Sequence, residues 1–115
     1  MSTGKTQKAG EEQVVAELKE AARWINEGRY DLAVEYSAEL LRDRLISKLG
    51  LQRSLTNEEI IERLQALGQI INMEAVEYVV ELGEKCAYAG YKPSIEEAEK
   101  ALKNTNEVIS KLSLN

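Results

Sequence analysis

From residue 11 onward, apolar side chains return every three or four positions, the spacing that lines one face of an α-helix. Residues 11–27 place Val14, Val15, Leu18, Ala21, Ala22 and Ile25 on such a face. Gly28 follows as a left-handed stop, because glycine takes that conformation without steric cost. Residues 30–49 repeat the pattern with Ala33, Tyr36, Ser37, Leu40, Leu41, Arg44 and Leu45, and Gly50 ends them. So short a link between two amphipathic helices predicts an antiparallel hairpin. Residues 51–56 read as a loop. Thr56 and Glu59 then form a Thr-x-x-Glu capping box ahead of Ile60, Ile61, Leu64 and Leu67, a short third helix that stops at Gly68. A fourth helix spans residues 72–89 and is closed by Gly90. The fifth opens after Pro93 with a second capping box, Ser94 and Glu97. It turns Ile95, Ala98, Ala101, Leu102, Thr105, Val108, Ile109 and Leu112 inward.

No stretch alternates with a period of two, so no strand is expected. The prediction is an all-α, antiparallel bundle of four to five helices. It forms a single domain over residues 11–115, behind a polar, disordered tail of residues 1–10. Its core is expected to hold Val15, Leu18, Ala22, Ile25, Ala33, Leu40, Leu41, Leu45, Ile60, Leu64, Val76, Val79, Val80, Ala98, Leu102, Val108 and Ile109.

The fourth helix carries a more specific feature. Asn72, Val76, Val79, Gly83, Cys86 and Gly90 recur in steps of three and four, a heptad-like stripe of small residues that lets a second backbone come close. Glycine inside a helix costs about 1 kcal/mol relative to alanine, so Gly83 implies a packing reason. An intramolecular contact and a subunit interface would both use such a seam. Val76, Val79, Gly83, Cys86 and Gly90 are the candidate partner interface.

Composition narrows the chemistry. The chain has 115 residues, 43% of them apolar and 30% charged, enough to fill one core and too apolar for a disordered chain. It contains no histidine, which removes His-based triads, His metal sites and the usual general base near neutrality. Cys86 is the single cysteine and cannot form an internal disulfide, which fits a reducing cytoplasm. A net charge of −5 argues against a generic nucleic-acid binder. No apolar run is long enough to span a membrane, and the N-terminal residues show no signal-peptide core.

Four constellations could carry chemistry. Gly4-Lys5-Thr6 matches the end of a phosphate-binding loop but lacks the earlier glycine and the strand that would aim it. Glu77, Glu81 and Glu84, with Glu35 and Glu39, could line helix faces. Carboxylate metal sites in bundles add Glu-x-x-His pairs, however, so these read as solvated surface. Cys86 lies among apolar neighbours and reads as a buried, inert thiol. Arg42, Arg44, Lys48 and Arg53 form the one local positive cluster, diluted by Asp43, and are the candidate anion or nucleic-acid contact. Trp24, Tyr30, Tyr36, Tyr78, Tyr88 and Tyr91 serve core and rim in a chain without phenylalanine.

Three segments resemble a known family. Gly28-Arg29-Tyr30-Asp31-Leu32-Ala33, with Glu39 further along the same helix, resembles the opening hairpin of HEPN-type helical domains. Tyr88-Ala89-Gly90-Tyr91-Lys92-Pro93-Ser94-Ile95-Glu96-Glu97-Ala98-Glu99 is similar to the tyrosine-containing turn and final helix of that group. Leu55-Thr56-Asn57-Glu58-Glu59-Ile60-Ile61 resembles an element of a related prokaryotic helical domain of unknown function, found in transglutaminase-associated proteins. The ribonuclease members carry an Arg followed a few residues later by His. With no His here, nuclease chemistry transfers to no residue of this chain. The resemblance implies the bundle, a tendency to self-pairing and an accessory role. The hairpin also resembles one tetratricopeptide unit, but no second copy follows at the repeat's period of about 34 residues.

The expected function is a non-catalytic interaction or accessory module that binds protein partners and pairs as a homodimer, without cofactor or metal. The alternative is a nucleic-acid-binding accessory subunit that uses the Arg42, Arg44, Lys48 and Arg53 cluster.

Overall fold

The computed structural model describes residues 14–67 and 71–114. The proposed tail, the Gly4-Lys5-Thr6 motif, the first residues of the predicted first helix and the stop at Gly68 lie outside them, as does the side chain of Leu67. Among the described residues there are five α-helices and no strand: α1 (Lys19–Asn26), α2 (Tyr30–Leu49), α3 (Asn57–Leu67), α4 (Met73–Tyr88) and α5 (Ile95–Leu114). The fold is an all-α bundle.

Helix ends form where local chemistry directs them. Gly50 closes α2 at φ 67°, which lets the Leu51 N–H turn back onto the Ile46 carbonyl at 3.0 Å. Gly28 and Gly90 hold the same left-handed conformation after α1 and α4. Asn72 Oδ1 accepts the Ala75 N–H at the start of α4. Both capping boxes form reciprocally. Thr56 Oγ1 accepts from the Glu59 N–H while Glu59 Oε1 accepts from the Thr56 N–H, and Ser94 pairs with Glu97 in the same way.

The first helix departs from expectation. Val15 is extended, a 3-10 turn covers Ala16–Leu18, and regular helix starts only at Lys19. The Val15 N–H donates to Asn106 Oδ1 at 2.8 Å, so α5 ties the chain down before it can wind. Val14 and Val15 pack there half-buried, as a strap.

Helix α2 is the central element and touches every other α-helix of the bundle, most extensively α5 and α4. Its buried side chains therefore include neighbours in sequence, Ala33 with Val34 and Leu45 with Ile46. A one-sided stripe could not serve several partners. α1, α2, α4 and α5 meet in successive antiparallel pairs, so α2 and α5 run parallel, with Arg44 and Lys48 beside Ile109 and Leu112 at their C-terminal ends. α3 is peripheral and packs mainly on α4, through Ile60 and Leu64.

The core differs from the expected set in part. Val15, Ala22, Leu40, Val80 and Leu102 are half-buried, whereas Val34, Ile46, Ala75 and Leu82 are inside, and Cys86 is buried as expected. Ile95, expected inward, is 39% exposed because it stands at the very start of α5.

Candidate functional site

The small-residue stripe of α4 is a seam within the chain. Val76 and Val79 are fully buried, Cys86 and Gly83 are buried, and Gly90 stands beyond the helix as its left-handed terminus. Gly83 lies against α2: a Cβ at this position would sit 2.6 Å from the Ala38 Cβ. Of the two uses open to the stripe, the intramolecular one is seen for Val76, Val79, Gly83 and Cys86, which are buried within the chain with Gly83 against α2, while Gly90 stays exposed. Burial pushes the Cys86 thiol up, and the nearby carboxylates of Glu35, Asp31 and Glu97 add to the effect. The thiol is held in its unreactive, protonated form.

The four basic residues do not converge. Arg42 turns inward along the chain and donates to Asn57 Oδ1 at 2.8 Å, to the Arg53 carbonyl at 2.8 Å and to the Leu55 carbonyl at 2.7 Å. It staples the α2–α3 loop. Arg53 pairs with Asp43 at 3.0 Å, and Arg44 pairs with Glu17 in front of α1. A backbone hydrogen bond holds the Glu17 carboxyl below its ordinary range, and Arg44 reinforces this. Lys48 stands with Arg44, Ser47, Ile109 and Leu112 around an open hollow of about 380 Å3 at the far end of α2. Sequence spacing places these cations near one another but cannot show that three of them face partners within the chain.

Among the described residues, the large exposed apolar side chains lie at the opposite end of the bundle, a grouping the sequence pattern does not single out. Leu32, Tyr88, Tyr91 and Ile95 are 42%, 87%, 38% and 39% exposed. They come from the start of α2, the end of α4, the following turn and the start of α5, which the antiparallel packing brings to one end. The turn itself is built. Tyr91 Oη donates to Glu97, whose oxygens lie 2.9 and 3.0 Å away, and Lys85 Nζ sits 5.3 Å from the centre of the Tyr91 ring. The Ser94 backbone N–H, helped by Tyr91, holds the Glu97 carboxyl below its ordinary range. The bond to Glu97 correspondingly raises the Tyr91 phenol.

Grooves between the helices include two with an apolar floor. The wider, about 590 Å3, lies between α1 and α5 over Ala22, Ile25 and Leu102, with Lys19, Arg23 and Glu99 at its edge. There Arg23 is engaged by Glu20 and Glu27. The narrower, about 200 Å3, lies between α2 and α4 over Ala38, Val80, Gly83 and Ala87, edged by Glu35, Glu39, Glu84 and Tyr88. Among the described residues no three His, Cys, Asp or Glu side chains are placed to hold a metal ion, and no helix is long and apolar enough to cross a membrane. No protein-family model matches the chain, and no curated protein or solved structure matches it.

Proposed function

We propose that this chain is a non-catalytic, cytoplasmic helical interaction module of the HEPN-like type that binds protein and pairs with a copy of itself. The observation that carries the reading is the gathering of Leu32, Tyr88, Tyr91 and Ile95 at one end of the bundle. Large apolar side chains grouped on a small domain are a liability unless a partner covers them. Symmetric pairing is the commonest way for a chain to cover such a surface with itself. The resemblance to HEPN-like domains supports self-pairing by analogy alone.

The titrations support a role without catalysis. Among the described residues the carboxylates displaced from their ordinary range, Glu17 and Glu97, are displaced downward, away from that of a general acid or base at neutrality. The only thiol is displaced upward. The nucleic-acid reading stands second, because Arg42, Arg44 and Arg53 already face acceptors within the chain.

The test is the mass of the full chain by light scattering at high micromolar concentration. The expected result is a dimer that Leu32→Ser/Ile95→Ser converts to a monomer with unchanged helical circular dichroism. A wild-type chain that stays monomeric throughout would overturn self-pairing.

A further inference from the structure

We infer that the groove between α2 and α4 is a docking site for a lysine- or arginine-bearing helical segment of a partner protein. The inference rests on the interaction-module reading and assigns it a second surface, which meets the first at Tyr88, with a definite partner chemistry.

The groove exists because Gly83 lets α4 settle against Ala38, which leaves a shallow trough floored by Ala38, Val80 and Ala87. At about 200 Å3 it is smaller than the roughly 300–1,000 Å3 of small-molecule pockets. It suits side-chain stems laid along a surface. Its rim is acidic on both banks, with Glu35 and Glu39 one helical turn apart on α2 and, on α4, Glu84, which accepts from Asn57 Nδ2 at 2.9 Å. Among the described residues no cation pairs with Glu35 or Glu39. The one cation in the lining, Arg42, has its donors turned to Asn57 and to the loop carbonyls. Tyr88, 87% exposed, offers an aromatic face at one end of the trough.

An apolar floor beside Glu35 and Glu39, two carboxylates without a cation partner among the described residues, is complementary to one kind of guest. The aliphatic stems of lysine or arginine pack on the alanines while their charged heads reach the rim. Because Glu35 and Glu39 repeat at the pitch of a helix, about 5.4 Å, the guest that matches them carries basic residues one turn apart. That is a basic amphipathic helix lying along α2 and α4.

The probe is a fluorescein-labelled amphipathic Lys/Leu helical peptide, with a Glu/Leu peptide of the same pattern as control, titrated into the full chain and followed by anisotropy. Expected are saturable binding of the Lys/Leu peptide only, and backbone amide shifts centred on Glu35, Ala38, Glu39 and Ala87. Glu35→Gln/Glu39→Gln should weaken it about tenfold with circular dichroism unchanged. Glu96→Gln/Glu107→Gln, which removes the same charge from α5, should leave it nearly unaltered. Equal losses in both variants, or shifts centred on Leu32 and Ile95, would overturn the groove assignment. If the peptide does not bind while the chain still pairs with itself, the groove assignment fails and the module reading stands. If the chain neither binds the peptide nor pairs, both fail.

Discussion

Thr105 Oγ1 and Ser37 Oγ lie inside the bundle without a hydrogen-bond partner, Thr105 fully buried and Ser37 nearly so. A hydroxyl stranded in this way costs roughly 1–3 kcal/mol of desolvation. Thr105→Val keeps the branched shape and removes the orphan, so it should stabilise the fold by about 1 kcal/mol. Urea denaturation would show this as a higher midpoint at unchanged slope. The helical spacing already placed both residues inward, because position on a helix face depends on periodicity alone. That neither hydroxyl finds an acceptor depends on what stands opposite, which no single helix reveals. Arg42 is the converse case. In sequence it reads as one cation among four, and its work on the loop carbonyls becomes visible only once the loop has a shape.

At the scale of elements, what was legible was local. The two capping boxes and the glycines after α1, α2 and α4 act within a turn or two of chain, and each stands where its chemistry predicts. The side on which the α4 stripe is covered was not legible, since it depends on the register of α4 against α2. The start of α1 was missed for the same reason: the Asn106 side chain that takes the Val15 N–H comes from the far end of the chain. The register also makes a sharp prediction. Gly83→Ala would gain about 1 kcal/mol of helix propensity, yet its Cβ would meet the Ala38 Cβ at 2.6 Å. An alanine methyl cannot swing away, so the helices must part, at an overpacking cost of about 1–3 kcal/mol. Gly83→Ala should therefore destabilise. Gly83→Ala with Ala38→Gly should return close to wild type, and a double-mutant cycle on thermal or urea unfolding measures the coupling.

Over the whole molecule, α3 is the least tied element. It packs mainly on α4 and is fixed to α2 through the Arg42 staple. Segments with few buried contacts open at lower free energy than the core. Native-state hydrogen exchange should thus release the α3 amides before those in the middle of α2 or α5. Arg42→Ala should speed exchange in α3 by about tenfold or more while leaving the centre of α2 little changed, given about 1.5–3 kcal/mol for hydrogen bonds to a charged donor. Equal acceleration everywhere would show that α3 unfolds only with the rest.

The parallel pairing of α2 with α5 bears on how the chain is made. Translation delivers the N-terminal side first, at roughly 5–20 residues per second. All of α3 and α4 must therefore leave the ribosome between α2 and its most extensive partner. For some seconds the central helix, apolar on several sides, is present without its most extensive partner. The nascent chain therefore presents apolar surface that the finished bundle hides.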